Sequence, residues 1–133
     1  MRNDELSRQS MDFAVSIIGL VKDLRAKHET IISGQIGRSG TSIGANIREA
    51  QYAHSKAEFA AKLQIALKEA NETGYWLELL NRTGHLSDQE YKTLGSACTA
   101  IRLMLISSIN TTKKPEAGTP QAVDGAEIGR AHV

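Results

Sequence analysis

The chain has 133 residues, 41% of them hydrophobic and 23% charged, with a formal charge of +1 at pH 7, a length that suits one domain. No apolar run approaches the roughly 18 residues of a membrane span, the opening MRNDELSRQS is polar with no signal-type apolar segment, and the lone Cys98 excludes an internal disulfide, so a cytoplasmic, bacterial-type protein is expected. Helix formers dominate, and Pro115 and Pro120 are the only prolines, which predicts an all-α fold over residues 1–114.

The first helix is expected from about Asn3, a reasonable N-cap followed by Asp4 and Glu5, to Lys27. Leu6, Phe13, Ala14, Ile17, Val21 and Leu24 fall on one stripe, which Ile18 and Leu20 widen. The second helix is expected from about Thr30 to Ala53, with Ile32, Ile36, Ile43, Ile47 and Ala50 on its apolar side. It contains the unusual stretch RSGTSIGANIREAQ, Arg38 to Gln51. Gly37, Gly40 and Gly44 recur three and four apart and so share one face, where another backbone can come close. Each interior Gly costs roughly 0.5–1 kcal/mol against Ala, so this helix is expected to begin raggedly near Gly34 and to be firm by Ser39.

The third helix opens with a capping box, Ser55-Lys56-Ala57-Glu58. It continues with Phe59, Leu63, Ala66, Ala70, Thr73, Leu77 and Leu80 at bundle spacing, and stops near Gly84. A second apolar set, Ile65, Trp76 and Leu79 with Tyr75 beside it, lies off that seam. The fourth helix has its own box, Ser87-Asp88-Gln89-Glu90, and a seam of Tyr91, Leu94, Cys98, Ile101, Leu105 and Ile109, ending near Lys113-Lys114 before Pro115. Four helices with short connections predict an antiparallel up-down-up-down four-helix bundle. Ile65, Trp76, Leu79, Leu103 and Met104 exceed what one seam needs. Either the core is wide or a second face is buried against copies of the chain, with Ile65, Trp76 and Leu79 as the expected oligomer interface.

Beyond residue 114 the composition changes. PEAGTPQAVDGA is rich in Pro, Gly and Ala without an apolar period, which predicts a disordered tail over 115–133. The last seven residues, EIGRAHV, are the translation of GAG ATC GGA AGA GCA CAC GTC, the start of a common sequencing adapter. They are expected to be read-through, which leaves the natural C-terminus open.

Chemistry is sparse. Glu49, Glu69 and Glu72 invite a di-metal reading, since bundles hold such ions with Glu and Glu-x-x-His. That motif is absent: Tyr52, Glu72 and Tyr75 stand at the third position after each glutamate. The expectation is instead a structural polar network of Asn46, Glu49, Glu69 and Glu72 that sets helix register. Cys98 is spaced as a core residue, and RSGTSIG lacks the phosphate-loop pattern and a preceding strand. No catalytic residue, metal, cofactor or small-molecule substrate is expected.

Within residues 1–114, 15 basic and 12 acidic residues leave a net +3, a mild excess that permits polyanion contact. Arg38, Arg48, Lys56, Lys62 and Lys68 are the candidate nucleic-acid contacts, set against the plain reading of a solvated face. In an oligomer these charges multiply.

RSGTSIGANIREAQ, followed by FAAKLQIALKEANETGYWLELL (Phe59 to Leu80), resembles a bacterial family of four-helix bundles encoded in intervening sequences of 23S ribosomal RNA genes. The similarity spans roughly residues 10 to 112, and FAVSIIGLVKDL looks like the family's opening. The resemblance implies a compact antiparallel bundle that assembles as a ring, typically a homopentamer. A relative, the accessory protein of diversity-generating retroelements, pairs with a reverse transcriptase and binds nucleic acid through a basic surface. No activity is established for most members. Asn46, Glu49, Glu69, Glu72 and Trp76 carry over as structural motif positions. Gly74 departs from the pattern, standing where the family often has a charged residue such as Glu. Structured RNA or a nucleoprotein is therefore the expected partner, the alternative being a protein such as a reverse transcriptase without direct nucleic-acid contact; no membrane is expected.

Overall fold

The computed structural model describes residues 4–113. They form α1 (Asp4–Ala26), α2 (Ile31–Ala50), α3 (Lys56–Arg82) and α4 (Asp88–Lys113), an all-α four-helix bundle. The Asn3 cap and the tail expected over 115–133 lie outside the described residues.

Local signals fix the helix ends. Ser87 and Glu90 form a reciprocal box: the Glu90 N–H donates to Ser87 Oγ at 3.1 Å and the Ser87 N–H to Glu90 Oε1 at 3.2 Å. At α3 the Glu58 N–H donates to Ser55 Oγ at 3.1 Å, while the returning carboxylate reaches one residue further back and accepts from His54 N–H at 2.9 Å. The end of α3 is a Schellman turn. Gly84 sits at φ +80°, with His85 N–H on the Leu80 carbonyl at 2.9 Å and Gly84 N–H on that of Asn81 at 3.1 Å. The end of α1 repeats this turn with His28 at φ +66°, in the position that usually takes glycine.

α2 corrects the expectation of a ragged start. It is continuous from Ile31 and stops at Ala50, short of the expected Ala53. Thr30 makes no side-chain cap. The Glu29 carboxylate takes that role, accepting from the N–H groups of Ile31 at 3.2 Å, Ile32 at 3.1 Å and Ser33 at 2.8 Å, which satisfies three otherwise orphaned donors at the positive end of the helix.

Side-chain contacts give the register. A Cβ on Gly37 would meet Val21, one on Gly40 would meet Ile17, and one on Gly44 would meet Ser10, so α2 runs antiparallel to α1. Arg38 reaches Glu69 and Glu72 while Glu49 reaches Lys62, which orients α3 against α2. Asn81 pairs with Asp88 and Ala70 with Cys98, which orients α4 against α3. Each helix packs on its sequence neighbours and α4 returns to α1; the diagonal pairs have no close backbone approach. The core is the inward stripe of all four helices, including Ile17, Leu24, Ile36, Ile43, Leu63, Leu77, Ile101 and Leu105.

Two measurements check this account. His28→Gly should raise stability by about 0.5–1 kcal/mol, because relief of the left-handed conformation outweighs the added unfolded-state entropy; an unchanged or lowered melting temperature would contradict the assignment. Glycine-to-alanine changes within α2 should split. Gly40→Ala places a methyl 2.9 Å from Ile17 Cγ2 and should destabilise by about 1–3 kcal/mol. Gly34→Ala meets nothing within 4 Å and should stabilise by roughly 0.5–1 kcal/mol.

Candidate functional site

The outer edge of the α2–α3 seam carries most of the residues singled out in sequence. Glu69 and Glu72 are three apart on α3 and present their carboxylates to the same side. Across from them Arg38 on α2 bridges both: one guanidinium nitrogen lies 3.1 Å from Glu69 and the other is bonded to Glu72. The Trp76 indole N–H also donates to Glu72, at 3.0 Å. The Arg38 hydrogen bond, then that of Trp76, holds the Glu72 carboxyl below its ordinary range, and the two carboxylates raise Arg38.

About three turns further along α2, Lys62 Nζ lies 2.7 Å from Glu49, which raises Lys62. Asn46 joins neither cluster; its amide donates to the Ser42 carbonyl of its own helix at 2.9 Å. The four residues expected as one network are thus two separate ion-pair clusters and an intrahelical bond. The buried polar link between α2 and α3 is a different pair, Ser39 and Thr73, whose hydroxyl oxygens are 2.8 Å apart. Thr73 Oγ1 is also 2.8 Å from the Glu69 carbonyl. Its one hydrogen serves that carbonyl, so Ser39 donates to Thr73.

The same pairing reshapes the basic set. Arg38 and Lys62 are matched by carboxylates, and the Arg38 cluster is net negative. Lys56 has an interaction within the fold. Arg48 and Lys68 are exposed with no carboxylate partner among the described residues. The structure therefore leaves two of the five candidate cations standing clear of acidic neighbours.

Two apolar faces point away from the core. On α3, Ile65 and Tyr75 are exposed and Leu79 is half-buried. Trp76 is half-buried against the core, its ring edge-on to Tyr75 at 5.0 Å between centroids. On α1, Met11, Val15 and Ile18 are 50%, 65% and 44% exposed. They recur at four and three, so they form one outward line. A groove of 480 Å³ runs beside it between α1 and α2, lined by Ser10, Ala14, Gly44 and Ala45 with Met11 and Arg48 at its sides. Sequence reading missed the α1 line because its period merges with the core stripe of the same helix.

Among the described residues no group of three or more His, Cys, Asp or Glu comes together as a metal site. No helix there is long and apolar enough to cross a membrane.

A family model described as 23S rRNA-intervening sequence protein matches residues 2–107, and the chain belongs to that family. A solved structure from Bacteroides thetaiotaomicron VPI-5482, a protein of unknown function from the S23 ribosomal protein family, is 52% identical. The match covers 78% of this chain and 97% of that one, with a TM-score of 0.77. No curated protein matches.

The Glu72 cluster yields a pH signature. A carboxyl whose pKa is lowered in the fold stabilises the fold above its ordinary value of 4.5, and that contribution is lost as pH falls below it. Glu72→Gln should cost no more than about 1 kcal/mol at pH 7, as expected for a half-exposed pair. The gap between wild type and variant should narrow as pH falls below 4.5. A gap that is constant with pH would show that the ion pair is not its source.

Proposed function

We propose that this member of the 23S rRNA-intervening sequence protein family is a non-enzymatic scaffold of the bacterial cytoplasm. It assembles with copies of itself and, as an assembly, associates with structured RNA or a ribonucleoprotein. The observation that carries the reading is the pair of outward apolar faces on α1 and α3. These helices lie on a diagonal of the bundle, with no close backbone approach between them, so their outer faces look in different directions. A contact that joins one face of a protomer to the other face of its neighbour is heterologous, and such contacts close into rings when the rotation permits. The family resemblance supports five copies.

Charge favours that pairing. The α1 line continues into Lys22 and Arg25, which have no ion-pair partner among the described residues. The α3 face carries Glu69 and Glu72. Repetition of Arg48 and Lys68 around an assembly supports attraction to a polyanion. The pairing of Arg38 and Lys62 favours a second reading, in which the assembly is a protein–protein adaptor, for instance for a reverse transcriptase, without direct nucleic-acid contact.

Light scattering on a sizing column tests the assembly. Wild type should run as an oligomer, and Val15→Glu and Tyr75→Glu, both at exposed positions, should fall to smaller species with helicity unchanged. A monomeric wild type would overturn the reading. Titration of the oligomer with a labelled structured RNA then separates the two partners: affinity that falls steeply with salt supports direct binding, and no binding at low salt supports the adaptor.

A further inference from the structure

A second cleft, of 250 Å³, opens between α3 and α4, away from the α1–α2 groove. Its lining repeats at helical spacing on both sides: Ala70, Gly74 and Leu77 on α3, and Tyr91, Gly95, Cys98 and Arg102 on α4. Packing within the protomer does not require either glycine. A Cβ on Gly74 would meet nothing within 4 Å, and one on Gly95 would meet only the Tyr91 ring, at 3.9 Å. This is the reverse of Gly40, whose missing side chain is filled by Ile17. Both glycines sit inside long helices, where glycine is less favourable than Ala. Their effect is to leave the cleft open.

The polar groups around that opening have one sign. Arg102 is the only charged residue in the lining, and no carboxylate joins it. Its Nε donates to Asn71 Oδ1 at 2.7 Å. This contact fixes the plane of the guanidinium and leaves both terminal nitrogens without a partner among the described residues. Thr99, three residues before Arg102 and on the same side of α4, also lines the cleft, and its hydroxyl has no partner there. The floor is neutral: the Cys98 thiol donates to the Ala70 carbonyl at 3.4 Å, and burial pushes it up to about 11. Tyr91 supplies an aromatic wall.

We propose that this cleft binds a small oxyanion-bearing molecule, a carboxylate or phosphate monoester. Arg102 and Thr99 hold the charged end, and a flat body lies along Tyr91 over Gly74 and Gly95. The fork of Arg102 matches the geometry of either oxyanion, and the aromatic wall suits a planar group. The ligand is bound and not turned over, since no nucleophile or general base lines the cleft in reactive form.

Proton–nitrogen correlation spectra of the full chain test this site, with sodium phosphate and sodium benzoate as probes and sodium chloride at matched ionic strength as control. Saturable shifts of the Gly74, Gly95 and Thr99 amides, absent with chloride, are the expected result. Benzoate alone identifies a flat carboxylate, phosphate alone identifies a phosphate group, and both together identify a general oxyanion site. Arg102→Gln should weaken binding about tenfold or more, as loss of a charged hydrogen-bond donor implies. Gly74→Leu, a helix-favouring change, should abolish binding by filling the space. No saturable shift with either probe, or shifts that survive in both variants, would overturn the proposal.

Discussion

Gly40 stands where any side chain would strike Ile17, with 2.9 Å to its Cγ2 and 3.0 Å to its Cγ1, and Gly37 and Gly44 leave similarly little room against Val21 and Ser10. The separation of α1 and α2 is set by that contact. Ile17 is fully buried because it occupies the space that a Cβ at residue 40 would need. Helical propensity lost at three glycines is offset by the close packing they allow. The Glu29 carboxylate then holds the first turn of α2, so a helix poor in propensity is fixed both at its start and along its inner face.

Once α2 lies this close to α1, its other side must meet α3, and that side is polar. Ser39 and Thr73 satisfy each other in the buried part of the seam. Arg38 and Lys62 close its outer edge on carboxylates of the opposite helix. A slip of one turn along α3 would break all three links together. The ion pairs are partly exposed and each contributes little to stability; the buried hydroxyl pair is less forgiving, because a separated hydroxyl would be left dry. Register is thus specified by a small set of directional contacts laid over a non-directional core.

What could be read in the sequence follows the range of each interaction. The capping boxes at Ser55 and Ser87, the Gly84 stop and the inward stripes of α3 and α4 all depend on residues within a few positions of one another, and periodicity exposes them. The partners of Arg38 lie 31 and 34 residues away, and no local pattern announces them. Read alone, Arg38 and Lys62 look like free cations. Glu29 escaped notice because it caps from one residue before the expected start of the helix at Thr30. Asn46 and Glu49 share a face, yet the amide of Asn46 found a carbonyl on its own helix before it could reach a neighbour. The glycines were legible as a face but not as two kinds: those filled by α1, and those such as Gly74 that open onto solvent.

The distribution of contacts also bears on assembly. α2 and α3 share the most extensive interface in the bundle, and α1 and α4 the least. α1 is therefore held chiefly from one side, by the glycine face of α2, while Met11, Val15 and Ile18 remain uncovered along its outer line. In the proposed ring that line is covered by the α3 face of a neighbouring copy. α3 is the better-anchored helix, fastened on both flanks by α2 and α4. Such a contact sets a helix fastened on both flanks in one protomer against the uncovered apolar line of α1 in the next, so each copy completes the packing of its neighbour. A bundle arranged in this way gains added stability at α1, because the contact covers an apolar line that its own chain leaves open.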